Sequence, residues 1–458
     1  MNKAIILAAG EGTRMKSKKP KSMQPILGKP MLEYIVEELK QADIDEIICI
    51  VGHGGETIRE YFKDSNIIFK DQPIGEDEFY GTGFAAIQAI DEIKDEDEVL
   101  IVCGDTPLIR HETLKRLMEF NANENFDMTV LTATIKNPTG YGRIVRSDSG
   151  YVKKIVEQKD ADDSEKGISE INSGIFVYNG KNLKAALQKL TTNNASGEMY
   201  LTETVSLFRN MGLNVGGYIM EDFSEASGIN SRKELMEANK IMQDRIILKH
   251  LENGVNILNP DAVIIEPEVI IGSDTIIYPN AILQGKTEIG EDCTIIGNTR
   301  IVDSIIKDNV FLDNVVIEHS IVNRDTKIGP FAHIRPNTEI GSNVKIGNFV
   351  ELKNASFKNG SKAGHLAYIG DADVGENVNI GCGVVFVNYD GKNKYRSKVE
   401  DNAFIGSNSS LVAPVHIEEY GYIAAGSTIT KDVSNGELAI ERSEQKNIKD
   451  WVKRKGLK

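Results

Sequence analysis

Counting in sixes organises the second half of this chain. Ile265, Ile271, Ile277, Leu283, Ile289, Ile295 and Ile301 are aliphatics in strict six-residue register. Four residues after each of the first six stands a small or β-branched residue: Val269, Thr275, Ala281, Thr287, Cys293 and Thr299. The register resumes at Ile328, Ile334, Ile340, Ile346 and Leu352, and again at Ile405, Leu411, Ile417, Ile423 and Ile429. A hexad period predicts a β-helix of short stacked strands, one hexad to a face. Each coil buries only one aliphatic per side, so stability comes from stacking and from covered ends. Two intervals break the count: Leu352 to Tyr368 spans 16 residues and Phe386 to Ile405 spans 19. Both are expected to leave the solenoid as irregular loops. They carry Lys353, His365, Asn388, Tyr389 and Lys394, polar groups on a rigid scaffold, where function concentrates.

The first half has another rhythm. Apolar runs at 3–8, 47–51, 67–69, 99–103 and 129–133 read as buried strands. Between them Met31, Leu32, Ile35, Val36 and Leu39 recur at helical spacing, as do Leu114, Leu117 and Met118. Strands alternating with helices predict a mainly parallel, Rossmann-like α/β sheet with ligands beyond the carboxyl ends of its strands. Leu235, Ala238, Met242 and Ile246 continue at three- and four-residue steps. The expected division is therefore an α/β domain over 1–230, a helical linker over 231–250 and a β-helix with a tail over 251–458.

Composition limits the function classes. No apolar run approaches the roughly 20 residues of a membrane span, and the run ending at Ala9 leads into a glycine turn, unlike a signal peptide. Cys49, Cys103, Cys293 and Cys382 are scattered, which predicts free thiols and a cytoplasmic location. The net charge of −15 argues against nonspecific nucleic-acid binding. An anionic substrate therefore needs locally concentrated Lys and Arg.

Leu7-Ala8-Ala9-Gly10-Glu11-Gly12-Thr13-Arg14-Met15, followed by Pro20-Lys21, leaves the first strand directly. Its glycines allow backbone N–H groups near a phosphate or base, and Arg14 and Lys21 bring positive charge. Met15 stands where a dinucleotide fingerprint has its third glycine, and no Walker GxxxxGK is present here. The whole string resembles the signature of sugar-phosphate nucleotidyltransferases. That resemblance implies transfer of a nucleotidyl group to a sugar 1-phosphate with release of pyrophosphate, a chemistry of positioning and charge neutralisation. It also implies Mg²⁺, which needs few protein oxygens, on Asp105 and Asn230.

Further strings resemble one family of that class, the bifunctional N-acetylglucosamine-1-phosphate uridylyltransferase/glucosamine-1-phosphate acetyltransferases. They are Pro138-Thr139-Gly140-Tyr141-Gly142-Arg143-Ile144, Ile155-Val156-Glu157-Gln158-Lys159, Glu170-Ile171-Asn172-Ser173-Gly174 and Gly197-Glu198-Met199-Tyr200-Leu201-Thr202. The resemblance implies a UTP and UDP-sugar site made of Leu7, Ala8, Ala9, Gly10, Lys21, Gln72, Gly81, Thr82, Gly142, Glu157, Asn172 and Asn230, with Arg14 and Lys21 catalytic. In the second half, Gly329-Pro330-Phe331-Ala332-His333-Ile334-Arg335-Pro336, Gly347-Asn348-Phe349-Val350-Glu351-Leu352-Lys353, Asn377-Val378-Asn379-Ile380-Gly381 and Asn388-Tyr389-Asp390-Gly391 resemble the acetyltransferase half.

Acetyl transfer from a thioester to an amine needs the amine neutral, whereas an amine of pKa about 7.7–8.0 is largely protonated at pH 7. A histidine is the natural base. By the resemblance His365 is that base. Arg335, Lys353, Tyr368 and Asn379 would hold glucosamine 1-phosphate, and Cys382, Asn388, Tyr389, Lys394, Ser407, Ala425 and Arg442 would line the acetyl-CoA site. Cys382 stands where the family usually has alanine. The resemblance also implies a left-handed coil and a homotrimer whose subunits share the site.

One region departs from the family, which reads uracil with a Gln shortly before Gly-Thr-Gly-His-Ala. Here the segment 73–80 is longer and acidic, and Phe84 replaces the His. Either Gln72 or Glu76 takes the Gln position. An extra carboxylate beside a triphosphate would weaken binding. Two other readings follow: an acetyltransferase whose first domain has another sugar or base, or no activity, and a non-catalytic or metal-binding solenoid. For the last, His319, His333, His365 and His416 are the ligand candidates, but their separations of 14, 32 and 51 are not multiples of six. The tail over 446–458, basic around Trp451, would cover the solenoid edge, attract CoA phosphates or remain solvated.

Overall fold

A computed structural model describes residues 1–75 and 78–457. The chain divides into two compact units, Met1–Met242 and Gln243–Lys458. The division falls inside one helix, Arg232–Glu252.

In the first unit the strand Asn2–Ala8 lies at the middle of the sheet, parallel to Glu46–Val51 on one side and to Glu98–Cys103 on the other. Ile67–Asp71 extends the first side. On the other side Glu170–Asn179 runs antiparallel between Glu98–Cys103 and Met128–Thr134, and Val215–Ile219 closes the edge. Successive residues of a strand face opposite sides, so a strand covered on both faces is apolar throughout. Ala4, Ile6 and Ala8 pack with Leu32, Ile35, Leu39, Leu114 and Leu117, while Ile5 packs with Ala86, Leu183 and Phe208 on the other face. The chain leaves Asn2–Ala8 toward one edge and later returns to its opposite side. This opens a crevice beyond the carboxyl ends of Asn2–Ala8 and Glu98–Cys103.

The second unit is a parallel β-helix of three faces. One face is a ladder of 11 strands, and the other two are joined through the bent strands Glu351–Phe357 and Tyr368–Val374. All the aliphatics of the hexad register are buried. The small position four residues later is buried too, and its threonines and serines have a task there. Thr275 Oγ1 donates to the Gly290 carbonyl at 2.8 Å and accepts from the Cys293 amide at 3.0 Å. Ser361 does the same between Gly375 and Val378. Corner residues with positive φ are mostly Asp and Asn, such as Asp274, Asn280, Asp292 and Asn309, whose short polar side chains tolerate that region.

The first expected loop does not leave the solenoid. Leu352 pairs with Ile369, so this coil is shorter than eighteen by one residue, as is the step from Ile289 to Ile306. Ile369 is the inward residue and Tyr368 faces outward. His365 therefore closes a regular strand, Lys362–His365. The second expected loop does leave. Ile380 pairs with Ile405, and the excess residues form an excursion over 388–396 in which Tyr389 bridges Lys394.

Candidate active sites

The crevice of the first unit is a cavity lined by Leu7, Ala8, Ala9, Gly10, Lys21, Ser22, Gln72, Tyr80, Gly81, Thr82, Ala85, Cys103, Gly104, Asp105 and Glu198. Met15, in place of a third glycine, is buried and anchors the loop in the core. The loop must be glycine where it meets the next turn: a Cβ on Gly12, whose φ is 68°, would lie 2.7 Å from Lys21 Cβ. Lys21 Nζ donates to Asp105 Oδ2 at 2.5 Å and to Asn230 Oδ1 at 3.0 Å. These two side chains, 125 residues apart in sequence, thus already share one cation. Their neutral and anionic oxygens form a donor set suited to Mg²⁺, which keeps most of its waters and takes few protein ligands.

Gln72 is buried, held by its amide to the Val51 carbonyl, and lines the cavity with Gly81 and Thr82. The rival position Glu76 lies outside the described residues. Gly81, with φ of 118°, is seated on the Met199 carbonyl, which would lie 2.4 Å from an added Cβ. Phe84, in the family's His position, is buried and packs edge-on against Phe79.

Gly142, Glu157 and Asn172 come together although three elements supply them. The Asn172 amide donates to the Gly142 carbonyl at 2.9 Å. The Glu157 carboxylate lies 3.3–3.4 Å from where a Gly142 Cβ would stand, and Thr202 Oγ1 donates to it at 3.1 Å. Burial pushes the Glu157 carboxyl above its ordinary range; Thr202 opposes the shift, and Asp160 and Glu198 add to it. Arg14 is exposed on the turn Thr13–Met15 and is not among the residues lining the cavity.

In the second unit the coils stack the candidates into columns. Asn348 pairs with His365, and the ring Nδ1 lies 2.7 Å from Asn348 Oδ1. The following coils place Cys382, Ser407 and Ala425 above His365, through Ile380, Ile405 and Ile423 in register. Arg442 Nη1 donates to the Ala425 carbonyl at 2.7 Å. Five of the residues expected around acetyl-CoA transfer thus occupy one edge. Asn348 was missed as a site residue, yet it stands in a quoted string seventeen residues before His365.

Around the corner, Arg335 and Lys353 follow Ile334 and Leu352, which are paired, and Lys353 pairs with Gly370. Tyr368 lies across Gly370, where a Cβ would come 2.4 Å from its hydroxyl. Arg335 Nη1 donates to Glu351 Oε1 at 2.9 Å. The Lys394 ammonium beside Lys353 holds Lys353 below the ordinary lysine range, with burial adding and Asp371 opposing. Asp371 is the residue that sequence reasoning could not find. It is buried and accepts from Asn354 at 2.6 Å and from Asn388. Burial opposes its ionisation, but these donors and the two lysines hold its pKa below the usual carboxylate range. Asn379 is on another face, paired with Lys362 and Phe404. Clustered cations of this kind suit a phosphate.

The four histidines of the metal-binding reading do not assemble. Among the described residues the one group with metal-ligand proximity is Glu38, His111 and Glu112, where Glu38 also accepts from the His111 amide. The tail is exposed throughout its described length, with one short helix, Trp451–Arg454.

The nucleotidyl transferase family profile matches residues 3–226, and the profile of the bacterial transferase hexapeptide, six repeats, matches residues 319–354. A protein of Clostridioides difficile (strain 630) named bifunctional protein GlmU is 52% identical over 456 residues, covering 100% of this chain and 98% of that protein. One of the same name from Alkaliphilus oremlandii (strain OhILAs) is 52% identical over 457 residues, covering 99% of each. Another, from Listeria innocua, is 45% identical over 451 residues, covering 98% of each.

Proposed function

The chain belongs to the GlmU family of bifunctional enzymes, and from that premise we propose how its residues divide two reactions. In one, an acetyl group passes from acetyl-CoA to glucosamine 1-phosphate. In the other, a uridylyl group passes from UTP to N-acetylglucosamine 1-phosphate, giving UDP-N-acetylglucosamine and pyrophosphate.

The observation that carries the acetyltransferase assignment is the His365–Asn348 contact. Asn348 Oδ1 can only accept, so Nδ1 carries the proton and Nε2 presents its lone pair. Nε2 takes a proton from the sugar amine as its nitrogen attacks the thioester carbonyl. The C–N bond forms, the C–S bond breaks, and the sulfur leaves with a proton returned from the imidazolium. Arg335, Lys353 and Tyr368 hold the sugar phosphate, with Lys394 beside Lys353. Cys382, Ser407, Ala425 and Arg442 line the carrier's path along the edge column, with Asn388 and Tyr389 of the excursion. Asn379, on another face, completes the site from a neighbouring copy in a homotrimer of left-handed coils.

In the first unit, the Leu7–Gly10 segment and Lys21 cradle the triphosphate, Gln72, Gly81 and Thr82 hold the base, and Gly142, Glu157 and Asn172 hold the N-acetylglucosaminyl group. Asp105 and Asn230 would hold Mg²⁺, which supplies charge neutralisation on the phosphates when bound. Arg14 reaches the triphosphate from its exposed turn. The enzyme works in the cytoplasm; among the described residues no helix is long and apolar enough to cross a membrane.

The two assignments are separable in one experiment. His365→Ala lowers acetyl transfer about 10²–10⁴-fold, the usual contribution of a general base, and leaves pyrophosphate release from UTP, Mg²⁺ and N-acetylglucosamine 1-phosphate intact. Asp105→Ala does the reverse. Acetylation at the unaltered rate by His365→Ala would show that another group is the base.

A further inference from the structure

The mechanism above leaves one buried polar side chain of the nucleotide cavity without a task. Ser22 belongs to the turn Lys21–Met23 and lines the cavity beside Lys21. The residue is only 3% exposed, yet Oγ has no hydrogen-bond partner among the described residues. Buried hydroxyls are nearly always paired, and an unpaired one stands at a free-energy disadvantage that any later partner relieves.

The turn itself does not depend on this hydroxyl. Lys21 is tied to Asp105 and Asn230. Gln24, just after the turn, donates to Ser17 Oγ and the Lys19 carbonyl, and accepts from Arg232. The backbone is therefore held from both sides, and Ser22, with its orphan Oγ, is part of the cavity wall. Serine has three staggered rotamers, so one step about χ1 re-aims the hydroxyl without moving the backbone.

We propose that Ser22 is a nucleotide-binding residue, whose hydroxyl donates to an oxygen of the nucleoside triphosphate held beside Lys21. This rests on reading the cavity as the UTP site. The sugar 1-phosphate is the less suitable partner, because its expected contacts Gly142, Glu157 and Asn172 come from other elements and none of them lines this cavity.

The test is Ser22→Ala in the full chain, with UTP and Mg²⁺ titrated in a calorimeter and thermal unfolding followed without nucleotide. UTP binding weakens about five- to tenfold, the size of one net hydrogen bond. The KM for N-acetylglucosamine 1-phosphate stays unchanged, as does acetyl transfer, which reports on folding. The nucleotide-free midpoint stays level or rises, because the lost hydroxyl had no partner to lose. Equal UTP affinity in the variant and the unaltered protein overturns the proposal. So does a fall in the nucleotide-free midpoint matching the loss of affinity, since the hydroxyl would then be structural. If the unaltered protein itself takes up no UTP, the reading of the cavity fails first and this proposal with it.

Discussion

Single residues here carry opposite demands. Glu157 has its carboxylate against Gly142 and under Thr202, and burial raises its pKa. A carboxyl with a folded pKa above its unfolded one disfavours folding as pH rises through that interval, and fully so above it. Glu157→Gln is therefore expected to raise the urea midpoint at pH 8 while leaving it nearly unchanged at pH 4. The same change should raise the KM for N-acetylglucosamine 1-phosphate about tenfold or more, as for a lost hydrogen bond to a charged group. A variant less stable at pH 8 would show that the carboxylate has a stabilising partner in the folded protein. Position alone does not announce such a residue. Glu157 was legible only as part of a string, whereas Asp371 was not legible at all, because its contacts to Asn354 and Asn388 are made between coils.

At the scale of elements, the β-helix tolerates a missing residue at a corner better than an extra atom between rungs. The coil beneath His365 is seventeen residues long and still keeps Ile346 and Ala363 inward. Between those rungs Gly347 faces Gly364, and a Cβ on Gly347 would lie 1.8 Å from the Gly364 carbonyl oxygen. Backbone cannot yield as a flexible side chain does, so Gly347→Ala should cost about 3 kcal/mol or more and disturb the Asn348–His365 pair. The partner position is the control. A Cβ on Gly364 meets nothing within 4 Å, so Gly364→Ala should change stability by less than about 0.5 kcal/mol. Equal costs for the two, read from denaturant midpoints, would contradict this packing.

For the whole molecule, the arrangement of one β-helix bears on assembly. Arg335, Lys353 and Tyr368 share one face, and Asn379 lies on another. If copies share the site, light scattering gives three times the 50.5 kDa chain mass. Mixed refolding of His365→Ala with Asn379→Ala chains then restores part of the acetyl transfer, because some sites receive both intact residues. A 50.5 kDa particle with full acetyl transfer would show that one chain suffices. Relatives matching over 456 residues at 52% identity span both units, which disfavours an inactive first half; the scattered histidines give no support to a metal-binding solenoid.

The hexad register determined the β-helix and the majority of its inward aliphatics, because burial of one aliphatic per face is written locally and repeats. The glycine loop and its following lysine likewise stood out in the sequence, since backbone freedom and fixed charge are properties of residue type, and Gly10 and Lys21 line one cavity. What only the tertiary structure decided was how coils register and which distant groups meet. A corner can lose a residue without altering the apolar pattern on either side. The sixteen-residue interval therefore read as a loop, yet Leu352 pairs with Ile369 and no chain leaves. For the same reason the partner of His365, the placing of Gln72 in the cavity and the sharing of Lys21 by Asp105 and Asn230 emerge only when contacts far apart in sequence close.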